Sequence, residues 1–216
     1  MNAERAGAAV LILGAVASVV VMAFHPTHAA MSGHDTEQIA ATMRLSGLVH
    51  GMALATAPVL TFGFFIFSRH IGFERLLGML AFFFYAFGAI AVMVAATMSG
   101  LVSPRLIMAH MDTATADKAV LAGLGRIVWW FNQSFAALHV ALTSVAIALW
   151  ALVWPGKGVL GVLIRVLGLA VGIGVLAWLL SGTLELDTHG MGAVVVAQGI
   201  WILAAATGMW MRAKAS

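Results

Sequence analysis

The chain has no cysteine among its 216 residues. Disulfides, thiolate metal sites and iron–sulfur clusters are therefore excluded. Charge is scarce as well: Asp, Glu, Lys and Arg make up 9% of the residues, against about 25% in a soluble domain. Proline occurs four times and tyrosine once. No stretch is both polar enough and long enough for a separate soluble domain. The few basic residues are scattered near the ends of apolar runs, so the net charge of +3 is no nucleic-acid signal; such residues set orientation in a bilayer.

What remains is apolar. Hydrophobic residues make up 62% of the chain, and the mean hydropathy is +1.04. The runs are long and continuous, unlike the short alternating segments of a membrane barrel. The expectation is one all-α integral membrane domain over residues 1–216, a bundle of six spans. They fall at about Ala6–Phe24, Leu45–Phe67, Leu76–Met98, Ile127–Trp154, Val159–Leu180 and Gly190–Met211. Each can cross a hydrocarbon core that needs about 20 residues. The first run exceeds the usual core of a signal peptide and reads as an uncleaved helix. A faint repeat of Arg75-Leu-Leu-Gly78 at Arg165-Val-Leu-Gly168 suggests three helical hairpins, with chance in an apolar chain as the rival reading.

With the N-terminus inside, the inner face carries Arg5, Arg69, Arg75, Lys157, Arg165, Arg212 and Lys214. The outer face carries Arg44, Arg105, Lys118 and Arg126. This bias predicts a multi-pass inner-membrane protein with both termini cytoplasmic. The outer loops, His25–Arg44 and Ser99–Arg126, are then the main polar segments, with a helical turn over Thr115–Leu124. Trp129, Trp130, Trp150, Trp154 and Trp210 read as interfacial anchors.

That topology gathers His25, His28, His34, His50, His110, His139 and His189 outside or near the midplane, leaving His70 inside. A tripeptide occurs twice, His50-Gly51-Met52 and His189-Gly190-Met191. On the second span, Ser46, His50, Ala53, Ala57 and Thr61 share one helical face. On the fourth, Asn132, Ala136, His139 and Thr143 do, and His139 lies deep, about twelve residues or roughly 18 Å into the span. Intramembrane ionisable residues default to function, so His139 is the strongest single candidate, with Asn132 and Thr143 lining the same cavity. After the acidic turn Glu185-Leu-Asp187, a carboxylate could fix the His189 tautomer as at metal sites, but for His189 alone a plain surface turn is the favoured reading.

Imidazole suits copper, zinc or iron, and thioether favours copper(I). The leading reading is a metal site, copper before zinc, with ligands from His50, His139 and His189. His25, His28 and His34 serve as capture residues, and Met52 or Met191 as a soft donor. Haem b held axially by His50 and His139 is the second reading. A transporter or channel gated by protonation of His139, and a non-catalytic subunit of a larger complex, are the alternatives. No nucleophile with a base at readable spacing points to an enzyme. Expected partners are the lipid bilayer and other membrane proteins or a second copy, and not nucleic acid.

Overall fold

The computed structural model describes residues 2–26, 36–112 and 115–213. Among these residues every regular element is helical: α1 Ala3–Ala23, α2 Thr36–Ile71, α3 Leu76–Thr97, α4 Ser103–Asp112, α5 Thr115–Val153, α6 Gly158–Leu180 and α7 Thr188–Arg212. A π-helical segment, Met98–Val102, joins α3 to α4. Six helical stretches are long and apolar enough to cross a membrane, the third running through α3, the π segment and most of α4.

Two helices start well before the apolar runs do. α2 begins at Thr36 and α5 at Thr115, so much of what reads as outer loop is helix. The residues there are polar but helix-compatible, and helix continuity satisfies their backbone groups internally. Ser103-Pro104, inside the expected outer loop Ser99–Arg126, is helical as well. Pro104 has no N–H for the Gly100 carbonyl, and its ring would crowd that carbonyl. The chain widens instead of breaking: the Ser103 N–H reaches back five residues to the Met98 carbonyl.

The six spans form a closed ring in the order α1, α2, α3, α5, α6, α7, with α7 returning to α1. Both termini lie at one end, where Arg5 Nη2 donates to the Ala213 carbonyl at 3.3 Å. At that end Glu4 Oε1 also meets His70 Nδ1 at 2.7 Å. Arg165 donates to the Trp154 carbonyl from Nε and Nη2, at 3.0 and 2.7 Å. The Trp201 indole donates to the Ile164 carbonyl at 3.1 Å.

The termini half of the ring is filled by aromatic rings. Phe64 of α2 stacks on Trp150 of α5 at 4.6 Å and 5° between planes. Trp150 in turn faces Trp201 of α7 at 6.1 Å and 9°. Phe67 and Trp154 form a parallel pair at 5.7 Å. Trp150 and Trp154 are thus buried in the core and are not interfacial anchors. Glycines make room for Trp154 and for Trp201. A Cβ at Gly168 would come within 2.5 Å of the Trp201 indole nitrogen and 2.6 Å of Ala151, and one at Gly208 within 2.8 Å of Trp154. The small residues make room for the indoles. Trp130 is exposed, and Trp129 is half exposed.

This packing predicts opposite outcomes for two glycines of α6. Gly168→Val should destabilise by about 1–3 kcal/mol, the usual cost of overpacking. At Gly174 nothing lies within 4 Å of a Cβ, so Gly174→Ala should stay within about 1 kcal/mol of the parent or gain stability from helix propensity. Denaturant unfolding in mild detergent measures both.

Candidate functional site: a histidine-lined chamber

The other half of the ring is open. A cavity of about 1240 Å³ lies between the last turns of α1, the first half of α2, the end of α3, α4, and the first halves of α5 and α7. Its walls explain the space: Ala53, Ala57, Ala89, Ala95, Ala96 and Ala136 line it, where the termini half has Phe and Trp. His25, His50, His110, His139, Asn132 and Gln198 also reach it.

His50 sits on α2 with its side chain against the π segment. Gly100 leaves the space for it, because any Cβ there would overlap the His50 side chain. His50 Nδ1 lies 2.7 Å from the Ser46 carbonyl one turn back, with the Ser46 hydroxyl 3.3 Å from the same nitrogen. A carbonyl only accepts, so this nitrogen carries the proton. In the neutral ring Nε2 is then a lone pair. His25 follows the end of α1. Its Nδ1 is 3.0 Å from the Pro26 carbonyl, which fixes the same tautomer, and Thr188 Oγ1 stands at the limit of hydrogen-bond distance, 3.5 Å. The two Nε2 atoms meet at 3.2 Å, with the rings edge-on at 72°. Two lone pairs are brought face to face. A proton or a cation between them turns that repulsion into attraction.

His139 follows the same rule elsewhere in the wall. Its Nδ1 lies 2.9 Å from the Gly88 carbonyl of α3, with Thr143 Oγ1 at 3.3 Å. Gly88 permits this approach, since a Cβ there would press on Thr143 Oγ1 at 3.0 Å. The His139 Nε2 is therefore also the acceptor nitrogen when the ring is neutral.

The structure thus brings His25, His50, His139, Asn132, Thr143 and Met191 to one chamber. His28 and His34 lie outside the described residues. His189 is exposed, and it does not line the chamber. Met52 also points away, half exposed. The two His-Gly-Met copies are not equivalent. Gly51 has open space beside it, whereas a Cβ at Gly190 would strike the Glu185 carbonyl. Among the described residues no three of His, Asp and Glu gather tightly enough to cage a metal by themselves.

Gln198 of α7 has no sequence signal beyond being polar in an apolar run. It is 6% exposed, and its amide nitrogen has no hydrogen-bond partner. Gln133, by contrast, donates to the Leu186 carbonyl at 3.3 Å and so ties α5 to the turn before α7.

Asp187 caps α7. Its Oδ1 accepts the Gly190 N–H at 2.8 Å, and that bond, reinforced by the His189 N–H, holds the carboxyl below its ordinary 3.8. No family model, curated protein or solved structure matches the chain, so the chamber is read from its own geometry.

The cap carries a pH signature. A carboxyl depressed by folding contributes stability that is fully present above its unfolded value near 4 and is lost as pH falls through the folded value. Backbone hydrogen exchange over 188–192, corrected for intrinsic rates, should accelerate between pH 4 and pH 2. Asp187→Asn retains the accepting oxygen without the titration and should flatten that dependence. Identical pH profiles in the two proteins would remove the cap from this role.

Proposed function

We propose that this is a multi-pass membrane protein that binds a transition-metal ion, copper(I) before zinc, between His25 and His50 in an outward-facing chamber. The observation that carries the reading is the 3.2 Å approach of two Nε2 atoms whose rings each give their Nδ1 proton to a backbone carbonyl. Metal-bound histidines commonly donate the other ring N–H in this way, which fixes the tautomer and raises the basicity of the ligating nitrogen. Two nitrogens at about 2.0–2.1 Å from one tetrahedral ion lie about 3.3 Å apart.

The neighbours favour a soft ion. Met22, Met43, Met111 and Met191 line the same chamber, and thioether donors select copper(I). The sequence bias of basic residues toward the termini end supports cytoplasmic termini and an outward chamber. The ion would be held rather than used in hydrolysis: the role is capture or storage at the membrane surface.

The test is an anaerobic copper(I) titration of the detergent-purified protein against a competing chelator, repeated with zinc(II). Wild type should retain one ion. His25→Ala and His50→Ala should each weaken retention by more than the 10–100-fold that loss of an outer partner of a ligand costs, while His189→Ala leaves it unchanged. Failure of wild type to retain either ion would overturn the reading. A Soret band from protein made with ample haem would reassign the chamber to haem b.

A further inference from the structure

The chamber is far larger than an ion needs. A volume of about 1240 Å³ is on the scale of pockets that enclose whole organic molecules, roughly 300–1,000 Å³. Most of its lining surface is apolar, although Ser, Thr, His, Asn, Gln and acidic residues also reach it. A mainly apolar surface interrupted by polar groups is the usual make-up of a small-molecule site.

Two of those polar groups lie away from the His25–His50 pair in sequence and helix position. Gln198 is ten residues into α7, about 15 Å from its start at 1.5 Å per residue. The residue lines the chamber, and its amide nitrogen is buried and lacks an acceptor. Buried donors in folded proteins nearly always find one. Ile202, one turn further along α7, and Leu60 of α2 line the cavity with it. His139 adds a group of opposite character: with its Nδ1 proton given to Gly88, the neutral ring offers an accepting Nε2.

We infer that the chamber binds a membrane-soluble molecule with an apolar body and a carbonyl oxygen, and that Gln198 donates to this oxygen. The carbonyl can belong to a free lipophilic compound of quinone type or to the acyl ester of a bilayer phospholipid; the chemistry at Gln198 is the same. A hydroxyl on the same guest, as in a reduced quinone, would donate to His139. The inference stands without the metal reading, because neither His25 nor His50 takes part.

Native mass spectrometry of the detergent-purified protein tests it, first as isolated and then with decylbenzoquinone added. Wild type is expected to retain either a phospholipid mass as isolated or a 1:1 quinone adduct after addition; either result sustains the assignment and names the source of the carbonyl. Gln198→Leu keeps the volume and removes the donor, so retention should fall about tenfold, the upper range for one hydrogen bond. Thermal unfolding of the guest-free variant controls for folding. It should match or exceed wild type, because removing an unpaired buried amide relieves a cost. Two results would overturn the inference: neither guest is retained by wild type, or Gln198→Leu retains its guest as strongly as wild type. If Gln198→Leu does not fold, Gln198→Met with the same readout replaces it.

Discussion

The stack of Phe64, Trp150 and Trp201 is the contact on which the rest depends. It joins α2, α5 and α7 across the middle of the ring, and these three helices carry His50, His139 and Gln198. In a bilayer, apolar side chains gain little by leaving lipid for protein, so helices associate through close packing and a few hydrogen bonds. Flat rings against glycine give the first, and the Trp150 indole donating to Ser68 Oγ at 3.0 Å gives the second. With one half closed so densely, the ring can stay open in the other. The positions of the polar groups are then set by helix arithmetic: Gln198 sits one turn before Trp201, and His139 about three turns before Trp150.

The imidazoles show how backbone geometry selects chemistry. Each of the three chamber histidines with a fixed partner places Nδ1 on a carbonyl. A carbonyl cannot donate, so the proton is held on that side and the basic nitrogen is left on the other. At His139 the carbonyl belongs to the neighbouring helix and is reached because residue 88 is glycine. At His50 the carbonyl is from the same helix, and the glycine that matters is Gly100, which lets the π segment close over the ring. The widened turn exists because of Pro104. A proline that reads as a loop signal thus shapes the wall around His50.

Much of this was legible in the chain itself. Six apolar runs, the polar faces of α2 and α5, and the association of Asn132, His139 and Thr143 follow from helical spacing. The pairing of His25 with His50 does not. It joins residues 25 apart, across a connection whose path no local pattern dictates, and His25 reads most simply as a loop residue beside His28. The tryptophans misled for a related reason. Trp150 and Trp154 lie near a helix end, where an indole in lipid favours the interface, and only the facing Gly156 and Gly208 at Trp154 and the rings stacked on Trp150 reveal that they turn inward. Gln198 had no pattern at all; its meaning lies in a missing partner, which is a property of three dimensions.

The contrast between the two halves of the ring bears on whether the chamber is an accident of loose packing. An unfilled apolar cavity costs stability in proportion to its size, because its lining loses contacts on one side. The chain has the means to avoid that cost, since it fills the termini half with indoles and places glycines to receive them. In the chamber half the same helices present alanine: Ala53 and Ala57 on α2, Ala89, Ala95 and Ala96 on α3, Ala136 on α5. Larger side chains at these sites would close the space and leave the histidines and Gln198 walled in. Small residues there are thus paired with polar groups that need occupants, lone pairs on one side and an unmatched donor on another. Void and polarity together are costly in an empty chamber and become complementary in a filled one. That coupling is the physical case for treating the open half of the ring as a binding site.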